Sequence, residues 1–355
     1  MTTTLPEIHI RAVELGLQPA DAILQQAESD DRTAALMLRL DQSERWRSRA
    51  AAYIRGESDG HRRALTMSVI LPKLSAGHLA ALITAWLEVL EPVNVEWLFV
   101  YTGRFITDWA GLLPVLQANV DAWFGERAWR VRRAVLRAAP MHLQSAELAP
   151  APTTTLPDLL ATFTMSEHLG VSAYADAPPL LLRAQEADRL RLLESAVRAL
   201  PKVVTGWPDG DDNEDRSTAL TYIAPYLPPA LAEEARRLVM ESIQGGRWKV
   251  YGLCTLHHHT ALDVIGDAVG VWQSGEPTYS TQIVGREYEI LAMAPYIRGD
   301  RMDSLLDYLL DPANPAEPFD GYAVFAQRGK HEALGVLAPT MDAAQVRRVL
   351  ASLSG

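Results

Sequence analysis

Three consecutive histidines, His257-His258-His259, concentrate metal-ligand side chains in one short stretch. Successive residues on a helix point about 100° apart, so a regular helix cannot aim all three at one ion. Zinc-site spacing is absent: no Cys pair accompanies them, and the nearest acid downstream is Asp263. They read as polar turn residues near the turn between paired helices, with no metal expected. A second candidate is the acidic run Asp209-Gly-Asp-Asp-Asn-Glu-Asp215, whose residues 209, 211, 213 and 215 match the first half of a calcium loop. The second half fails, with Glu214 where such a loop needs glycine and Leu220 where it needs glutamate. A solvated loop favouring the following helix N-terminus is expected, with weak cation binding as the alternative.

Nucleophilic chemistry finds little support. Cys254 is the only cysteine, so no intramolecular disulfide forms and a reducing cytoplasm is the expected setting. Its apolar helical surroundings predict a buried, inert thiol. His-Glu-x-x-His, Gly-x-Ser-x-Gly and phosphate-binding glycine loops are all missing. No catalytic residue, cofactor or metal is assigned.

Recognition chemistry is better represented. Arg127-Ala-Trp-Arg-Val-Arg-Arg-Ala-Val-Leu-Arg137 places Arg130, Arg133 and Arg137 along one helical face with Trp129 interleaved. Either this is a solvated face in a chain with 29 Arg and 4 Lys, or it is a site for an anion or acidic peptide. Most of the nine tryptophans fall in apolar helical stretches and are expected in the core, while Trp207, beside Pro208 and the acidic loop, is expected at the surface. The candidate partner-binding set is therefore Trp129, Arg130, Arg133, Arg137 and Trp207.

Charge narrows the partners further. The formal net charge is −11, of which residues 1–150 carry −1 and residues 151–355 carry −10. Such a C-terminal half repels nucleic acid and acidic membranes. Ser75 to Leu90 is strongly apolar, but His78 and Glu88 interrupt it and it is short for a membrane span. The N-terminus shows neither a basic nor an apolar signal-peptide region, so no signal peptide is expected.

The elements that position these residues follow a degenerate repeat. Its clearest copies are Leu-Thr-Tyr-Ile-Ala-Pro-Tyr-Leu from Leu220, Leu-Ala-Met-Ala-Pro-Tyr-Ile from Leu291 and Leu-Gly-Val-Leu-Ala-Pro-Thr-Met from Leu334. The marker prolines Pro72, Pro140, Pro178, Pro225, Pro295 and Pro339 are separated by 68, 38, 47, 70 and 44 residues. The two long gaps are close to two units each. Each contains a copy without proline, Trp97-Leu-Phe-Val-Tyr-Thr-Gly-Arg-Phe and Tyr251-Gly-Leu-Cys-Thr-Leu-His-His-His, giving roughly eight units from His61 onward.

Around Pro225 the unit reads as a helix pair. Ala219, Ile223, Ala224 and Leu227 share one stripe; proline then turns the chain, and Pro228-Pro229 opens a second helix striped with Leu231, Ala235, Leu238, Val239 and Ile243. These residues resemble HEAT-like helical repeats of the degenerate Leu-Ala-Pro-x-Leu type found in long bacterial proteins. The resemblance covers about residues 61–355 and implies an all-α α-solenoid of stacked antiparallel helix pairs. Residues 1–60 are expected to form an N-terminal helical cap, and the proline- and threonine-rich segment 148–158 an internal loop or hinge.

The implied function is a non-enzymatic scaffold or regulatory subunit, of the kind used in bacterial signalling or defence, presenting a curved helical surface to a protein or peptide. The alternative is a HEAT-like enzyme acting on nucleic acid, similar to alkylated-base DNA glycosylases, supported by Asp108-Trp109 and the Arg127–Arg137 patch.

Overall fold

The computed structural model describes residues 5–58, 60–87, 99, 102–125, 128–206, 210–275, 287–312 and 323–353. The fold is all-α: among the described residues helices pack on helices, and the one β-type pairing is an isolated bridge between Leu169 and Val203. No helix among them is long and apolar enough to cross a membrane.

The recurring Leu/Ala-Pro signal has a common local structure. The helices Gly60–Ile70, Glu186–Ala199, Asp212–Ile223 and Ala323–Leu337 each run into a single 3-10 turn with proline in its first two positions: Leu71–Lys73, Leu200–Lys202, Ala224–Tyr226 and Ala338–Thr340. Proline lacks the N–H that would extend the α-helical ladder, so the last turn tightens and the next residue becomes extended. Leu74, Val203, Leu227 and Met341 take that extended conformation. Pro178 is different. It lies in the first turn of the short Ala177–Leu181 helix, where its fixed φ suits a helix start, and Pro201 occupies the exit turn of that region instead.

The unit around Pro225 folds as its pattern predicts. Ala219, Ile223, Ala224 and Leu227 are buried, and a helix over Pro229–Ser242 followed by Ile243 buries Leu231, Ala235, Val239 and Ile243, while Leu238 of the same stripe is half-buried. Gly245 then adopts φ +84°, a conformation other residues resist, and Gly246 opens the helix that ends in the three histidines.

The chain divides into two compact units, one from Met1–Glu91, Phe105–Leu116 and Ile283–Gly355, the other from Pro92–Arg104 and Gln117–Gln282. This division differs from the expected 1–60 cap and 61–355 array. In the first unit the Pro6–Glu14 helix packs on the Ala323–Leu337 and Ala343–Leu353 helices. Arg11 donates from Nε and Nη2 to the Met341 carbonyl at 3.0 and 2.9 Å. A cap would keep one polar face in water, yet Glu7, Ile8, Ile10 and Ala12 are all buried, so this helix is covered on more than one side. Buried Glu7 pairs with Arg32. A Cβ on Gly335 would lie 3.2 Å from Glu7 Cδ, so the absence of a side chain there leaves room for the carboxyl.

Segment 148–158 lies wholly inside the second unit. Leu148 and Ala149 are buried, and Arg183 donates to the carbonyls of Ala146, Ala149 and Pro150. It is an anchored loop, after which Thr155 caps the Leu156–Met165 helix by accepting from Asp158 N.

Candidate functional site

The arginine-rich stretch forms the Ala128–Ala138 helix, which buries Val131, Ala134, Val135, Leu136 and Ala138. Trp129 is 43% exposed, unusually for so large an apolar ring. The guanidinium carbons of Arg130 and Arg133 stand 5.2 and 5.1 Å from its ring centroid. Arg133 also approaches Tyr222 at 5.8 Å, and Arg137, one turn further on, lies 4.3 Å from the same ring. Such stacks contribute about 0.5–1 kcal/mol each where exposed and about 2 kcal/mol where desolvated.

Arg130 and Arg133 form no ion pair with a described residue. Other arginines of this unit do: Arg132 with Asp121, Arg236 with Asp267 and Arg237 with Glu241. Trp46, Trp86, Trp109, Trp248 and Trp272 are buried, as expected for core tryptophans, which sets Trp129 apart.

Arg137 departs from the expected partner-binding face. It is only 6% exposed, donates from Nε to Thr221 Oγ1 at 2.7 Å, and donates from Nη1 to the Tyr222 hydroxyl at 3.3 Å. The arginine face thus runs inward, from exposed Trp129 to a buried end on the Asp212–Ile223 helix. Trp207 and Arg127 lie outside the described residues.

At that buried end is a small pocket lined by Arg104, Arg137, Thr221, Thr255, His258 and His259 among others, with room for about one water molecule. Arg104 donates from Nη2 to Thr255 Oγ1 at 2.7 Å, and that hydroxyl donates on to the Tyr251 carbonyl at 2.9 Å. Thr221 is held the same way, donating to the Thr218 carbonyl at 2.7 Å while accepting from Arg137. Arg104 Nη1 is buried without a hydrogen-bond partner. No acidic residue lines the pocket among the described residues.

The histidines occupy the last turn of the Gly246–His259 helix. His257 Nδ1 is 3.1 Å from the Leu262 carbonyl, and His258 Nε2 is 3.3 Å from the Ala138 carbonyl. His258 and His259 meet edge to face at 4.6 Å. Burial, then the positive charge of Arg104, lowers His258 to about 4. Burial, then His258 and Arg104, holds His259 well below the usual range. Both rings are neutral at pH 7, and each spends its single N–H on a backbone carbonyl, that of Ala138 for His258 and that of Arg137 for His259.

The remaining candidates have structural partners. Asp211 accepts from Asn213 N at 2.9 Å and from Trp248 Nε1 at 2.7 Å, and Asp212 accepts from Thr205 N at 2.7 Å. Of the four calcium-loop positions, Asp211 is thus spent on backbone and indole donors and Asn213 Oδ1 accepts from Gln244 N at 2.7 Å, while Asp209 lies outside the described residues. Cys254 is fully buried, which pushes its thiol up to about 12. Asp108 Oδ1 accepts from Gly111 N at 2.9 Å at the start of the Trp109–Phe124 helix, and Trp109 is buried, so this pair caps and packs.

Sequence reasoning passed over Arg104 and Thr255 as site residues, although a signal was present. The two repeat copies that lack proline are those ending near Arg104 and at His257–His259, and these two copies meet in the pocket. A position relieved of its turn-making proline is free to carry a charged or imidazole group. No family model, curated protein or solved structure matches this chain.

Proposed function

We propose that this chain is a non-enzymatic recognition scaffold of HEAT-like helix pairs whose second unit engages an acidic segment of a protein partner through Trp129, Arg130 and Arg133. The supporting observation is the exposed Trp129 ring between two guanidiniums that no described carboxylate neutralises. Aromatic and arginine side chains dominate binding energy at protein interfaces, and stacking on indole already orders the guanidiniums before a partner arrives. An acidic segment supplies the missing carboxylates, while the chain's net charge of −11 disfavours nucleic acid.

The test is affinity purification of the full chain at near-physiological salt, beside a Trp129→Ala variant and an Arg130→Glu/Arg133→Glu variant. A stoichiometric protein held by the parent and lost from both variants is the expected result. Equal retention by all three, retention of nothing, or nucleic acid held through the same residues overturns the reading.

A further inference from the structure

The pocket at the inner end of the arginine face poses a separate problem. Arg104 is a permanent cation, and its Nη1 is buried with its N–H groups unused. Folded proteins rarely leave such donors unmatched, and an orphaned one points to a group that belongs there. Its Nη2 cannot turn to help, because it is fixed on Thr255, whose own proton is committed to the Tyr251 carbonyl. Tyr251 lies 5.9 Å under the guanidinium, steadying its plane.

The neighbouring groups are a second guanidinium and neutral side chains, with no described carboxylate among them. Arg137 is held on Thr221 and Tyr222 across the pocket, and His258 and His259 close another side. Two guanidiniums around a space with no described acid present a positive potential, and Arg104 Nη1 brings unused N–H groups to it; the two neutral imidazoles add no charge, their N–H groups being held by backbone carbonyls. A cation is repelled by such a lining. A neutral apolar group leaves Arg104 Nη1 as unsatisfied as before.

We propose that this pocket is a binding site for a small oxyanion, carboxylate or phosphate in class, one oxygen of which sits against Arg104 Nη1. Room for about one water fits a single oxygen inside, with the rest of the ligand at the open mouth. The guanidinium fork suits both chemistries, since carboxylate and phosphate each accept charge-assisted N–H bonds. Bound there, the anion joins the Arg104 and Arg137 segments, which are distant in sequence, and so orders the inner end of the arginine face. This site does not depend on the acidic-partner reading, because it is assayed on the isolated protein.

The experiment is calorimetric titration of the full chain with sodium phosphate and, separately, sodium acetate, at an ionic strength held constant with sodium chloride. Saturable binding of one equivalent is expected, weakened about tenfold or more in Arg104→Gln and unchanged in Arg237→Gln, whose arginine pairs with Glu241 on the surface. Phosphate binding alone assigns a phosphorylated ligand, acetate alone a carboxylate ligand. Saturation by neither, or equal loss in the Arg237 variant, overturns the proposal. Should Arg104→Gln fail to fold, Arg104→Lys keeps the charge without the fork, and crystals of the parent soaked in selenate provide the independent readout. An anomalous peak within hydrogen-bond distance of Arg104 Nη1 supports the site, and its absence at saturating selenate overturns it.

Discussion

Arg130 and Arg137 stand seven residues apart on one helix and meet opposite fates. Their spacing put them on one face, and the structure keeps them there. What spacing could not convey is depth. Arg137 is buried where Thr221 and Tyr222, 84 and 85 residues further on, receive its guanidinium, whereas Arg130 stacks on exposed Trp129. The histidines show the same limit: their place near the end of a helix pair's first half was legible, but their loss of basicity comes first from burial and then from the charge of Arg104, both supplied by tertiary packing. That loss carries a prediction. His258 titrates near 4 in the folded chain and near 6.5 unfolded, so between these values the unfolded chain binds more protons. Stability therefore falls as pH drops through about 6.5 and levels off near 4. At pH 5 this one ring costs up to about 2 kcal/mol relative to pH 7. Urea melts of the parent and of His258→Gln at pH 7 and pH 5 measure it. The variant should lose less stability on acidification; an identical loss would show that His258 is not the responsible group.

At the scale of elements, the prolines were the most legible feature, because they act on their own backbone. Of the six marker prolines, Pro72, Pro225 and Pro339 each end a helix in a 3-10 turn through chemistry that needs no distant partner, as does Pro201, which the repeat did not mark, whereas Pro140 precedes such a turn and Pro295 lies in a plain turn. Pro178 misled for an equally local reason, since a first helical turn tolerates proline as well as an exit does. Helix-to-helix fit is less legible, and Gly252 illustrates why. A Cβ at this position would stand 3.1 and 3.3 Å from the two methyls of Val239 and 3.7 Å from Leu220 Cδ2, so glycine sets how closely the histidine-bearing helix approaches its neighbours. Gly252→Ala crowds Val239 but gains about 1 kcal/mol of helix propensity, and should come out near neutral. Gly252→Leu has no such compensation for its extra bulk and should lose about 2 kcal/mol. Denaturant midpoints of both variants decide the matter, and equal midpoints would mean that the contact is not limiting.

The whole molecule is where the sequence was least informative about organisation. Repeat arithmetic measures period along the chain and says nothing about which stretches meet across 330 residues, the separation bridged by Arg11 and Met341. All-α character was legible, since each stripe of apolar residues declares itself within a few turns. The joining of Met1–Glu91 with Ile283–Gly355 in one unit was not. Its clue lay in the Pro6–Glu14 helix, where Glu7 and Ile10 are buried along with Ile8 and Ala12, leaving no broad polar face. If the C-terminal helix covers part of that surface, deleting residues 342–355 removes Val346 and Val349 from the core and uncovers apolar area on the N-terminal helix. Each fully buried aliphatic side chain is worth about 1.5–3 kcal/mol, so the loss is several kcal/mol and falls on one unit. Hydrogen exchange of the deletion variant should show amide protection in residues 8–14 reduced by about a hundredfold or more, with that of residues 215–256 retained. Protection retained in residues 8–14 would mean that the N-terminal helix is held by the 21–56 segment alone, as an end cap is. Protection lost everywhere would mean that the two units do not unfold separately.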